Sequence, residues 1–82
     1  MYRILTEDIR RGRVIDIISR YTDGATIYPA TGLWRGKLEN SLAIELSGIK
    51  HKNVLRIAED IKRENDQKKV LIQRINTRDR LV

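Results

Sequence analysis

The stretch between residues 23 and 46 concentrates side chains that can bind a ligand. It contains three of the five glycines, the only proline and the only tryptophan. Around a W-R-G-K turn the sequence places an aromatic ring, two cations, a carboxylate and a hydroxyl: Trp34, Arg35, Lys37, Glu39 and Ser41. An aromatic ring flanked by cations can stack on a base, and a carboxylate can accept hydrogen bonds from a ribose or an amine. The residues therefore predict a small basic α+β domain with an anion or nucleotide site.

The same residues also have purely structural interpretations. In this interpretation Trp34 is a core residue at the end of a strand, and Tyr28 packs on a sheet surface. Glu39 fits an ordinary carboxylate that pairs with Lys37 or Arg35. Both interpretations stay open at this point.

Two basic groups lie outside this stretch. Arg74, Asn76 and Arg78 belong to a C-terminal run that is either a solvated tail or a phosphate-binding group. Three arginines at positions 10, 11 and 13 are either solvated or part of a nucleic-acid-binding patch.

The composition limits the class of protein. With 82 residues we expect one domain over 1–76 and a polar tail over 77–82. The chain has no cysteine and a single histidine, His51, so we predict no thiol catalysis, no metal site, no cofactor and no catalytic residue. The net charge of +6 indicates an anionic partner. Without an apolar run long enough to span a membrane, we expect a cytoplasmic protein.

Hydrophobic periodicity predicts six elements. Two helical stripes repeat at i, i+3, i+4 and i+7, at Val14, Ile17, Ile18, Tyr21 and at Val54, Ile57, Ala58, Ile61. The first helix should begin near residues 9–12 and end at Asp23-Gly24; the second begins after a cap at Asn53 or two residues earlier. Strands are expected at about 2–5, 25–34, 39–47 and 70–75, and the last, nearly continuous in apolar residues, should be central.

The order β-α-β-β-α-β predicts a ferredoxin-like fold, with a four-stranded antiparallel sheet and two helices on one face. In the hairpin, Tyr28 and Trp34 should face away from Ile27 and Leu33. Pro29 should place its strand at an edge or at a bulge, and Gly32 suits a bulge or a close approach. The open sheet face suits a ligand or a second subunit.

Three segments carry a resemblance to a known family: G-L-W-R-G-K-L-E-N-S-L-A-I-E-L (Gly32–Leu46), V-L-R-I-A-E-D-I-K (Val54–Lys62) and Q-K-K-V-L-I (Gln67–Ile72). They resemble small phage proteins with a PII-like, ferredoxin-type core. With M-Y-R-I-L-T-E-D and Y-T-D-G-A-T-I-Y-P-A-T-G-L-W-R-G, the chain looks most like the phage Thoeris anti-defence family. That resemblance implies a sponge that binds cyclic ADP-ribose-type immune signals, and in some members cyclic oligonucleotides, without cleaving them. It also implies dimers or higher oligomers with ligands between subunits.

We therefore hypothesise a small anionic adenine nucleotide as the ligand, with each role given to named residues. Base stacking would fall to Trp34 or Tyr28, diphosphate contact to Arg35, Lys37 and Arg74, and ribose contact to Glu39 and Ser41. Asn76 and Arg78 would complete the site from a partner chain.

Two alternatives differ in class from a sponge. The hairpin is also similar to that of phage S-adenosylmethionine lyases, in which a glutamate matching Glu39 lies beside the sulfonium. Trp34 stands where that family has a tyrosine, and Tyr28 offers the only nearby hydroxyl. The third alternative, a small nucleic-acid-binding protein, rests on the positive charge.

Overall fold

The computed structural model of the protein describes residues 1–76. Its elements follow the predicted order: β1 (Tyr2–Glu7), α1 (Arg11–Ser19), β2 (Thr26–Trp34), β3 (Lys37–Leu46), α2 (His51–Glu64) and β4 (Val70–Arg74). The four strands form one sheet in the order β2-β3-β1-β4, and every neighbouring pair is antiparallel. This confirms the ferredoxin-like α+β fold.

The core lies between one face of the sheet and the two helices. Ile4 of β1 sits between Ile44 of β3 and Ile72 of β4, so these side chains share one face. The helices bury their predicted stripes against that face: Val14, Ile17, Ile18, Val54, Ile57 and Ile61. Removing this apolar surface from water is the main driving force for the fold. Within residues 1–76, no helix covers the opposite surface of the sheet, which is called the open face below.

The expectation that β4 is central was wrong, because among the described strands β4 lies at an edge and pairs with β1 alone. Its apolar residues do point to both faces. However, Leu71 lies on the open face opposite Leu5 and is 53% exposed. A continuous apolar run therefore reflects here one buried face and one open apolar face, and not burial on both.

Helix α1 ends at Ser19, earlier than the predicted Asp23-Gly24, and Gly24 is not among the residues with positive φ. The chain turns out of the helix at Tyr21, whose N–H donates to the carbonyl of Ile18 at 3.0 Å. This exit lets the Tyr21 hydroxyl donate to the Asp60 carboxylate of α2 at 2.5 Å. The segment that leaves α1 is thus held against α2 by this hydrogen bond.

Three exposed arginines at the two ends of α1 also bond to the end of α2. Arg20 donates to both carboxylate oxygens of Glu64, at 2.6 and 2.8 Å. Arg13 donates to the Glu64 carbonyl at 2.8 Å, and Arg10 donates to Asn65. These contacts use much of the charge that a nucleic-acid-binding patch at positions 10–13 would need.

The β2–β3 hairpin projects beyond the rest of the sheet. Its register runs without a bulge from Thr26↔Glu45 to Trp34↔Lys37, and Pro29 lies on the edge strand as one alternative predicted. β1 ends at Glu7, opposite Ser41, so the last four residue pairs of the hairpin lie past it. We call this projecting part, residues 31–40, the hairpin tip.

Arg35 and Gly36 form the two-residue turn of the hairpin tip. Both have positive φ, 48° and 78°, as a type I′ turn requires. The turn fixes the register and therefore decides which side chains occupy each face. None of the helices within residues 1–76 is long and apolar enough to cross a membrane.

Candidate functional site

The hairpin faces are those predicted by alternation. Ile27 packs against the core cluster, and its neighbour Tyr28 lies on the open face opposite Ala43. Trp34, six residues further along β2, lies on the same face opposite Lys37. Because a strand rises about 3.3 Å per residue, Tyr28 and Trp34 are about 20 Å apart. The two stacking candidates therefore belong to different parts of the open face.

Trp34 at the hairpin tip is flanked by two cations. Its ring is reached by the Lys69 ammonium at 3.7 Å from the centroid and by the Arg35 guanidinium carbon at 5.4 Å. The residue is 49% exposed, so it is not the buried strand-end residue that the structural interpretation required. Cations over an indole face are held by its quadrupole, and the same face can stack on a base.

Lys69 is the residue that the sequence did not single out. It directly precedes β4, so its contact with Trp34 crosses the end of β1 and joins the two edges of the sheet. A lysine 35 positions away from the tryptophan gives no local signal in the sequence. The contact is possible because the hairpin tip extends past the end of β1, which otherwise separates the two edges.

Glu39 and Ser41 lie on the open face next to a gap left by glycine. Glu39 is paired with Gly32, and Ser41 is the next residue of β3 on the same face. A Cβ at position 32 would come within 3.0 Å of the Ser41 Oγ. The close neighbour of Gly32 is therefore a side chain, and not the bulge, ligand or other backbone that the sequence suggested. Glu39 is exposed and Ser41 is half-buried.

Tyr28 belongs to a separate polar cluster on the open face. Its hydroxyl donates to Glu45 Oε2 at 3.0 Å, and the Arg3 guanidinium donates to the same oxygen at 2.7 Å. The Arg3 hydrogen bond, followed by that of Tyr28, lowers the pKa of the Glu45 carboxyl from its ordinary value. The Tyr28 hydroxyl is thus already engaged within the sheet.

The C-terminal members of the hypothesised site lie elsewhere in the single chain. Arg74 is paired with Tyr2, which packs on the core cluster, so Arg74 is on the helix face and at the end of β1 remote from the hairpin tip. Asn76 follows shortly after β4, and Arg78 falls outside the described residues. One protomer therefore brings together Trp34 and its neighbours, but not Arg74.

Within residues 1–76, no group of three or more histidine, aspartate or glutamate side chains is placed to hold a metal ion. The chemistry that the hairpin tip offers is aromatic stacking, positive charge and hydrogen bonding.

No family model and no curated protein sequence matches the chain. Its fold is similar to that of a candidate PII-like signaling protein from Thermus thermophilus, with a TM-score of 0.58 and 22% identity over 88% of this chain and 77% of that one. It is also similar to the de novo designed protein Foldit4, with a TM-score of 0.50 and 20% identity over 94% of this chain and 93% of that one. At these identities the comparisons establish the fold alone, and a designed relative shows that this fold does not by itself specify a function.

Proposed function

We propose that this protein binds a small anionic adenine nucleotide at the hairpin tip and sequesters it without cleaving it. The observation that carries the proposal is the half-exposed Trp34 ring with Lys69 at 3.7 Å and Arg35 at 5.4 Å. A planar base and its phosphates need an aromatic surface with cations beside it, and the tip supplies both.

Stacking a base on Trp34 requires Lys69 to leave the ring. A cation–π contact at an exposed site contributes about 0.5–1 kcal/mol. Stacking of a base on an aromatic side chain contributes about 1–3 kcal/mol. The exchange therefore favours the nucleotide, and the displaced ammonium stays within reach of the phosphates attached to that base.

The remaining roles follow from position on the hairpin. Lys37 lies directly opposite Trp34 and, with Arg35, contacts the diphosphate. Glu39 and Ser41 accept hydrogen bonds from ribose hydroxyls beside the Gly32 gap.

Arg74, Asn76 and Arg78 enter the proposal through a second copy of the chain. Since Arg74 lies on the other face of its own sheet, it can reach a hairpin tip only in a neighbouring subunit. The proposal is thus a homo-oligomer with the nucleotide between subunits, as the resemblance to the Thoeris anti-defence family implies. The ligand would be a cyclic ADP-ribose-type signal, or a cyclic oligonucleotide, in the cytoplasm of an infected host cell. The PII-like signaling name of the structural neighbour agrees with a small-ligand role.

Calorimetric titration with cyclic ADP-ribose isomers tests this proposal. After saturation the protein is heated, and the released ligand is identified by chromatography. We expect binding and recovery of the intact isomer, with binding lost in Trp34→Ala. Leu38→Ala is the matched control, because Leu38 is on the same hairpin tip but on its other face and is 74% exposed.

The same experiment with S-adenosylmethionine separates the lyase alternative. Recovery of methylthioadenosine, abolished by Glu39→Gln, would replace the sponge by an enzyme. No binding of either compound would refute both adenosine-based functions, and duplex and single-stranded nucleic acid at two salt concentrations would be tested next.

A further inference from the structure

A cavity of about 350 Å³ lies between the end of α1 and the start of α2. It is at the end of the sheet remote from the hairpin tip, since Gly48 and Ile49 in its wall follow the end of β3. With ten residues in β3, the two places are about 30 Å apart. Within one protomer the cavity is therefore separate from the hairpin tip.

The lining of this cavity is positively charged. Lys50, Lys52 and Arg56 contribute to it, and no carboxylate of residues 1–76 is part of the lining. Among the residues that the structure describes, none of these three cations forms an ion pair, although Arg20 and Arg63 at the other end of α2 do. Lys52 and Arg56 are one helical turn apart, where like charges destabilise a helix. This repulsion is relieved in the unfolded chain, so it lowers the free energy of unfolding of the protein.

The carboxylate best placed on α2 to pair with Arg56 is bound by other residues. Asp60, four residues later on α2, accepts hydrogen bonds from Tyr21 at 2.5 Å and from Arg63 at 2.6 Å. Its charge is further compensated by Arg20 at 3.5 Å. The Tyr21 ring, fixed by this bond, forms part of the cavity wall, and Arg56 lines the cavity without a carboxylate partner from the described part of the chain.

We infer that this cavity is a second anion site, which takes a phosphate-bearing small molecule such as a diphosphate or a nucleotide. Its volume is at the lower end of small-molecule sites, which span about 300–1,000 Å³. Three cations that converge on a concavity suit a compact multivalent anion, whereas a nucleic acid backbone needs cations spread along a surface track. The Asn53 amide and the Thr22 hydroxyl, also in the lining, add neutral polar contacts.

Inorganic pyrophosphate is the probe, titrated into the ¹⁵N-labelled protein and followed by amide chemical shifts and calorimetry. We expect saturable shifts centred on Gly48, Ile49 and Asn53. The double variant Lys52→Gln/Arg56→Gln should weaken binding by at least about tenfold, because contacts to charged groups are among the strong ones.

The control variant Lys62→Gln/Lys68→Gln removes the same charge from exposed positions outside the lining and should retain the affinity. Trp34→Ala should also retain it, which separates this site from the hairpin tip. Equal weakening in both double variants, shifts confined to the hairpin tip, or no saturable binding at millimolar pyrophosphate would each overturn the inference. A duplex that binds at these residues more tightly than pyrophosphate and is not competed by it would overturn it in favour of nucleic acid.

Discussion

Replacement of Asn65 by alanine should lower the free energy of unfolding, although Asn65 is a polar residue that follows directly after α2. Asn65 is fully buried at the end of α2. Its Nδ2 donates to the Ile9 carbonyl at 2.8 Å, and its Oδ1 accepts from Arg10 Nε at 2.9 Å. The side chain thus fastens the end of the second helix to the loop between β1 and α1.

The size of the effect follows from these two bonds. Ile9 and Arg10 are exposed, so their freed groups can turn to water, and the loss is that of two hydrogen bonds and not of an unsatisfied buried group. A hydrogen bond contributes about 0.5–1.5 kcal/mol and one to a charged group about 1.5–3 kcal/mol, so we expect a total loss of about 2–3 kcal/mol. A domain of this size has a free energy of unfolding of about 4–12 kcal/mol. The corresponding decrease in Tm is about 10–20 °C.

Urea and thermal unfolding followed by far-UV circular dichroism measure this loss. Asn40→Ala is the matched control, because Asn40 is exposed on the hairpin tip and its side chain makes no hydrogen bond among the described residues. The control should change the unfolding free energy by less than about 0.5 kcal/mol. If Asn65→Ala behaved like the control, Asn65 would not fasten the two segments and the reasoning would be refuted.

Three further outcomes are expected. The Tyr21 hydrogen bond holds the pKa of Asp60 below its ordinary value. The ionised carboxylate therefore contributes its full stability above the unfolded pKa of 3.8 and loses it as the pH falls through the lower folded pKa. We expect Tm to decrease on acidification in that range. Gly36→Ala should cost about 1–2 kcal/mol in thermal unfolding, because φ at this position is +78°. Lys69→Gln should change the emission of the single tryptophan, because it removes a cation 3.7 Å from the ring.

Each of these outcomes has its own control. Tyr21→Phe should reduce the acid dependence, and an unchanged dependence would show that Asp60 does not cause it. Gly24→Ala, where the φ is not positive and no atom lies within 4 Å of the added Cβ, should be neutral or stabilising. Lys68→Gln removes the neighbouring charge and should leave the tryptophan emission unchanged; equal spectral changes in both lysine variants would contradict the cation–π contact.

The sequence predicts local features of this protein well. Alternation along β2 and β3 placed Tyr28 and Trp34 correctly on the open face, because a two-residue turn leaves no freedom for a register slip. The two helical stripes predicted the core correctly because their residues recur at the fixed period of an α-helix. Element order then led to the ferredoxin-like fold.

Features that depend on distant residues could not be predicted in the same way. The position of β4 at an edge is decided by its pairing with β1, about 70 residues earlier in the chain. Arg10 and Arg20 bond to residues 55 and 44 positions away, so nothing near them in the sequence indicates these partners. Lys69 was missed because only the projection of the hairpin tip brings Trp34 to it.

The most direct test of the proposed nucleotide site is a fluorescence titration, since the chain contains a single tryptophan at the hairpin tip. Cyclic ADP-ribose is added to the protein, and tryptophan emission is recorded alongside the heat of binding. Stacking of the adenine base on Trp34 predicts saturable quenching with the same midpoint as the heat. Calorimetric binding with unchanged emission would contradict the proposed site, because the ligand would then lie away from Trp34.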